Sequence, residues 1–197
     1  MTGPELLAAL RSDVILGAQK LLGAELVRGT MRARIVETEA YRAEDDPGSH
    51  AYRGRTKRNA IMFEEPGFAY VYFNYGVHWM LNVTSHEPGR AAAVLIRAAE
   101  PLEGLDQMAL NRGVADPRNL LSGPGKLAKA FGITGADNGI NLFDPSSSLY
   151  LEPPRSEVAV VSTVRIGLAD GKGHELPWRF LDADGLRWVS RRPRSGV

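Results

Sequence analysis

Cysteine is absent from the 197 residues. That excludes disulfides, a thiolate zinc site and an iron–sulfur cluster. Histidine is scarce: there are four, His50, His78, His86 and His174, and no two stand in HxH or HExxH spacing. The scatter argues against a protein-bound metal and leaves only carboxylate sites open. No excess of one charge is present, since 24 Lys and Arg against 23 Asp and Glu give a net +1. That balance alone says nothing about nucleic acid. No secretory leader is expected: Arg11 and Asp13 interrupt the first apolar run, and no small-residue cleavage site follows a long apolar stretch. The expected compartment is the cytoplasm. Residues 67–85 lack Asp, Glu, Lys and Arg, which raises a membrane span. Gly76, Asn74 and Asn82, and an aromatic, strand-like pattern with a turn inside, argue against one.

What is present reads as one domain with a hydrophobic core. Hydrophobic residues make up 44% of the chain and charged residues 24%. Residues 4–10 and 13–22 read as helices, with Asp13 as N-cap and Gly23 as stop. Strands are expected at 24–29, 31–41, 68–75, 77–85 and 91–98, with a polar loop over 42–58. Helices at 103–111 and 123–131 and strands at 148–152 and 157–167 follow, before a Pro/Gly-punctuated end. Successive strands joined by short turns predict an antiparallel sheet, so the class is α+β: a single compact domain, residues 1–197, with a curved sheet and surrounding helices.

Charge is uneven along the chain. "YRGRTKR" holds Arg53, Arg55, Lys57 and Arg58 unopposed, and "RWVSRRPR" holds Arg187, Arg191, Arg192 and Arg194. Such clusters on a neutral protein suit a bounded polyanion site, or else are solvated loops. In "VETEAY", period two puts Glu37, Glu39 and Tyr41 on one strand face. Two acids and a phenol there form either a surface that activates water or an ordinary polar edge. Spacing does not say which Glu would be the base. His50 sits in the loop before the first basic cluster. "YVYFNYG" puts Tyr70 and Tyr72 on one strand face and Tyr75 at a hairpin tip. Packing accounts for Tyr70 but poorly for Tyr75. Asn82 and Arg97 interrupt apolar strands and need partners if buried. "SGPGKL" lacks phosphate-loop spacing; it opens a helix with Lys126 placed to meet a phosphate.

Taken together and in order, "RIVETEAY", "SH", "RGRTKRNAIMF", "PGFAYVYFNYGVHWMLNV", "VLIRAAEPLEG", "LLSGPGKL" and "VRIG…PWRF…VSR" resemble the mammalian-type alkyladenine (3-methyladenine) DNA glycosylase family, over about residues 13–191. The resemblance implies a cofactor-free, monomeric base-excision repair enzyme. It would flip a damaged purine, alkylated or deaminated, out of double-stranded DNA and hydrolyse its N-glycosidic bond. On that resemblance Glu39 is the general base, with Arg97 supporting it and its water. Tyr41, His50 and Tyr72 hold the flipped base, Asn82 disfavours guanine and Tyr75 wedges into the duplex. Arg53, Arg55, Lys57, Arg58 and Lys126 are expected on the DNA backbone. No lysine in "VETEAY" or "YVYFNYG" is available for a Schiff base, so no strand-cleaving lyase activity is expected. Two other readings of the same residues are a non-catalytic nucleic-acid-binding module and a nucleoside or carbohydrate hydrolase using Glu37 and Glu39.

Overall fold

The computed structural model describes residues 1–43 and 45–193. Two twelve-residue strands, β2 (Met31–Arg42) and β5 (Ala92–Glu103), form the middle of one antiparallel sheet. With β1 (Glu25–Arg28), β3 (Ala69–Asn74), β4 (His78–Ser85) and β6 (Tyr150–Glu152) the order is β3-β4-β5-β2-β1-β6. Beyond the end of β1, the same edge of β2 pairs through Glu37–Glu39 with β8 (Arg179–Asp182), which in turn carries β7 (Val160–Thr163). One long strand thus serves three partners, and the sheet curls.

Side-chain alternation divides the sheet into two faces. Ala40, Val71, Leu81, Val83, Val94 and Ile96 join the main core. Helices α1 (Gly3–Ser12), α2 (Val14–Lys20), α3 (Leu105–Arg112) and α5 (Pro124–Ala130) close that core. Fully burying each such aliphatic side chain stabilises the fold by about 1.5–3 kcal/mol. The other face carries Tyr41, Tyr70, Tyr72, Met80, Asn82, Leu95 and Arg97 and stays open as a cleft.

The β2–β5 register slips near the strand end, between Arg32 and Ala33, and again beside the cleft. Ile35 pairs with Ala99, Glu37 with Ala98 and Thr38 with Ile96, so the register skips Val36 and Arg97. Ile35 and Thr38, three residues apart, both face the helices, and Thr38 Oγ1 donates to the Ala18 carbonyl. A bulge of this kind re-aims the side chains beside it. Here it turns Glu37 and Arg97 toward each other.

The expected helices and strands are present, with changed ends. The Asp13 cap holds, its carboxylate accepting from Leu16 N–H at 2.9 Å. Gly23 follows the helix with φ +81°, a conformation that favours glycine. Strand β5 runs to Glu103 rather than stopping at 98, and the next helix starts after Gly104. The strand expected over 157–167 shrinks to Val160–Thr163. A four-residue helix, α4 (Pro117–Leu120), and strand β8 were not expected. Strand β8 is buried on both faces, so it shows no alternation. Among the described residues no helix is long and apolar enough to cross a membrane.

Candidate active site

The cleft on the open face has a volume of about 370 Å³. It is bounded by Tyr41, His50, Tyr72, Asn82 and Arg97, with Ile166–Leu168 along one side and Tyr75 at the rim. Strands β2, β3, β4 and β5 and the loops 46–50 and 166–168 therefore all contribute to it.

Beneath the floor sit two carboxylates, Glu37 and Glu39, each 0% exposed. Arg97, 7% exposed, bridges them: Nε donates to Glu37 Oε1 at 2.9 Å and Nη1 to Glu39 Oε2 at 3.0 Å. Glu37 also accepts from Arg179 Nε (2.7 Å), Ser190 Oγ (2.8 Å) and Ser190 N–H (2.6 Å). Three of these four donors crowd Oε1 and one meets Oε2, and neither Arg179 nor Ser190 lines the cleft. Glu39 accepts from Arg97, from the Tyr41 hydroxyl at 2.7 Å and from Ile166 N–H at 2.7 Å. All three of these partners line the cleft, so Glu39 is the carboxylate set directly behind its wall.

The electrostatics of the pair follow from burial. Desolvation pushes the Glu39 carboxyl above the usual carboxylate range, against the pull of Arg97 and of the hydrogen bonds from Ile166 and Tyr41. Burial and the neighbouring Glu39 charge raise Tyr41 well above an ordinary phenol, so it stays a neutral donor. Burial likewise lifts Tyr72 to about 12. His50 lies open to the cleft, with Nδ1 3.0 Å from the Tyr70 hydroxyl. Partial desolvation among the rings, then the positive charge of Arg58, lower its pKa. A neutral imidazole presents one donor and one acceptor.

Aromatic groups form the walls. His50 and Tyr72 meet edge to face with centroids 4.5 Å apart, and Tyr70 lies 5.3 Å from Tyr72. Tyr70 is buried, as packing alone predicts. On the other side Arg165 lies 4.6 Å from the Tyr41 ring centroid. Its Nη atoms reach Asp46 Oδ2 at 2.6 Å and Oδ1 at 2.7 Å, in a pair with no exposure, and reach the carbonyls of Ala40 and Gly173. Asp46 also accepts from Gly48 N–H at 2.9 Å. One buried ion pair thus ties the loop of His50, the backing of Tyr41 and the segment that supplies Ile166 N–H. Asn82 lies at the floor and donates to the Tyr70 carbonyl at 3.0 Å.

The hairpin tip differs in kind. Tyr75 and Gly76 have φ of +50° and +67°, and Val77 N–H donates to Asn74 O at 3.0 Å. Two positive φ values suit a turn matched to strand twist. For tyrosine this conformation costs about 1–2 kcal/mol. Its side chain is 90% exposed. So exposed a ring recovers little of that cost by burial.

Most residues singled out in the sequence converge on this cleft: Glu39, Tyr41, His50, Tyr72, Asn82 and Arg97 within or beneath it, Tyr75 at its edge. Arg53, Arg55, Lys57 and Arg58 are all exposed; Arg55 pairs with Glu64 and Arg58 lies over Tyr72. Lys126 is half-buried and already donates to Asn119 and Ser122. Arg187 pairs with Glu100, while Arg191 and Arg192 are exposed and Arg194 lies outside the described residues. Asp46, Arg165, Arg179 and Ser190 went unrecognised as site-building residues. Among the described residues no group of three or more His, Asp or Glu is arranged to hold a metal ion.

Residues 8–185 match the family model described as Methylpurine-DNA glycosylase (MPG). A protein of Chlorobaculum parvum, provisionally named a 3-methyladenine DNA glycosylase, is 48% identical over 167 residues, covering 82% of this chain and 79% of its own. A Nitrosospira multiformis protein with the same provisional name is 47% identical over 163 residues, covering 83% and 82%. A third, from Francisella tularensis subsp. tularensis, is 43% identical over 192 residues, covering 94% and 97%.

Proposed function

The chain belongs to the methylpurine-DNA glycosylase family, and on that premise we propose that it excises 3-methyladenine and related damaged purines, including deaminated ones, from duplex DNA. The reaction is a hydrolysis at the deoxyribose C1′ carbon. Glu39 accepts a proton from water as the water oxygen bonds to C1′ and the glycosidic bond breaks. The observation that carries this reading is the inequality of the two buried carboxylates. Glu37 is held largely by Arg179 and Ser190, which lie off the cleft, whereas every partner of Glu39, namely Tyr41, Arg97 and Ile166, lines it. A carboxylate there also stabilises positive charge that develops on the sugar.

Binding follows from the walls and the tip. Extruding a nucleotide costs a few kcal/mol, least for a mispaired or damaged base. Tyr41 on one side and His50 and Tyr72 on the other stack the purine, each base–aromatic contact contributing roughly 1–3 kcal/mol. Asn82 sits where a purine edge would meet it and disfavours guanine by crowding its 2-amino group. Tyr75 enters the duplex and fills the space of the flipped nucleotide, which accounts for a strained, exposed aromatic. The enzyme acts as a monomer without cofactor and without lyase activity.

The same inequality counts against a hydrolase of nucleosides or carbohydrates that uses both acids. The test is base release from duplexes carrying 3-methyladenine or hypoxanthine, beside Glu39→Gln. Release by the wild type and loss in the variant, with duplex binding retained, is expected. Unchanged release in the variant would remove Glu39 as the base. Binding without release by the wild type would favour a non-catalytic module.

A further inference from the structure

The two walls of the cleft carry different charges behind their rings. Arg165 lies over Tyr41, but Asp46 matches its charge atom for atom in a buried pair. Arg58 lies 5.1 Å from the Tyr72 ring centroid. Its other neighbours are the Tyr70 hydroxyl and His50, and no carboxylate of the described residues pairs with it. Neither guanidinium lines the cleft itself. One ring is therefore backed by a neutralised pair and the other by a cation that no carboxylate of the described residues matches.

We propose that Arg58 sets the selectivity of this site between charged and neutral damaged purines, in favour of the neutral ones. The proposal rests on the glycosylase reading above. A purine alkylated at N3 or N7 in DNA carries a positive charge, and hypoxanthine does not. An electron-rich ring attracts a cation. The guanidinium over Tyr72 already engages that ring and repels a second cation nearby. Binding of a charged base is penalised, while a neutral base stacks without that penalty.

The bond-breaking step acts in the same direction. When the C1′–N9 bond breaks, its electron pair goes to the base. A cationic base becomes neutral as it leaves, so no negative charge builds up on it. A neutral purine becomes an anion unless it is protonated as it leaves, and a fixed positive charge beside the ring stabilises that developing anion. The water oxygen bonds to C1′ and its proton passes to Glu39 in both cases. Removing the Arg58 charge should strengthen binding of charged bases and slow release of neutral ones.

The experiment compares two duplexes of one sequence, one carrying 7-methylguanine and one hypoxanthine. Dissociation constants and single-turnover release rates are measured for wild type, Arg58→Met, Arg58→Lys and Arg55→Met. Arg58→Met should move the ratio toward 7-methylguanine by about fivefold, the upper range for a solvent-screened charge. Arg58→Lys should keep the wild-type ratio because it keeps the charge. Arg55→Met should weaken both substrates alike. An unchanged ratio in Arg58→Met overturns the proposal and leaves Arg58 a backbone contact only. A ratio lost equally in Arg58→Lys also overturns it, in favour of planar packing. If the wild type releases neither base, the glycosylase reading fails, and the ratio of dissociation constants still decides the role of Arg58.

Discussion

Beneath the cleft floor Glu37, Glu39 and Arg97 are at most 7% exposed, and each is held by several partners. At the tip of the β3–β4 hairpin Tyr75 is 90% exposed, in a backbone conformation that tyrosine disfavours. The floor is pre-organised: its groups need not move to meet developing charge, and water is kept from screening them. The tip is unsatisfied: an aromatic ring and local strain stand in solvent. A buried polar network is costly unless complete, and an exposed aromatic is wasteful unless used. On the proposed reading the floor would carry the chemistry and the tip the base extrusion, and substitutions can test each apart from the other.

The largest effect is expected at Glu39. Glu39→Gln should lower single-turnover base release by about 10²- to 10⁴-fold, the range for a lost general base, with duplex binding retained. The same variant reports on charge burial. Burial raises the folded-state pKa of Glu39 above its ordinary 4.5. A raised acid contributes stability that is fully present below the unfolded-state pKa and is lost as pH rises through the folded-state pKa. Gln does not ionise. Urea denaturation across pH should therefore show the wild type losing stability relative to Glu39→Gln as pH climbs from 4.5 through that raised value. A difference that grows in favour of the wild type would mean that Arg97 more than offsets desolvation.

Glu37→Gln should act on stability more than on chemistry. It leaves Arg97 and Arg179 without their shared carboxylate, and breaking a buried pair costs about 3–5 kcal/mol. The expected result is a lower denaturation midpoint, with base release per folded molecule reduced far less than in Glu39→Gln. Equal loss of release in the two variants, at a temperature where both are folded, would erase the distinction between the carboxylates.

How legible the two regions were in the sequence differs for the same reason. The tip is local. Asn74, Tyr75 and Gly76 between alternating runs are enough to predict a hairpin and to raise the question of its tyrosine. Period two also placed Glu39 and Tyr41 on one face, and the Asp13 cap could be read directly. The floor depends on distant partners. Ser190 is 153 residues from Glu37, Arg179 is 142 and Arg97 is 60. Arg165 is 119 residues from Asp46. No local pattern records such pairings. The bulge that turns Glu37 toward Arg97 leaves no glycine or proline to mark it. Strand β8 is four residues long and buried on both faces, so its alternation is invisible. Which glutamate is tied to the cleft wall is therefore readable only once these partners are in place.

The smallest effect is expected at the tip, where stability and function should move in opposite directions. Asparagine tolerates φ of +50° better than tyrosine does, and no buried contact depends on the exposed ring. Tyr75→Asn should raise unfolding stability by up to about 1 kcal/mol, read from the denaturant midpoint at an unchanged slope. It should also weaken release from a fully paired lesion, by up to the 1–3 kcal/mol of one lost base–aromatic stack. A mispaired lesion extrudes more easily and should lose less. Equal losses on paired and mispaired duplexes would separate the tyrosine from base extrusion. A destabilised variant would mean that the ring supports the hairpin after all, and the contrast between floor and tip would then narrow to one of exposure alone.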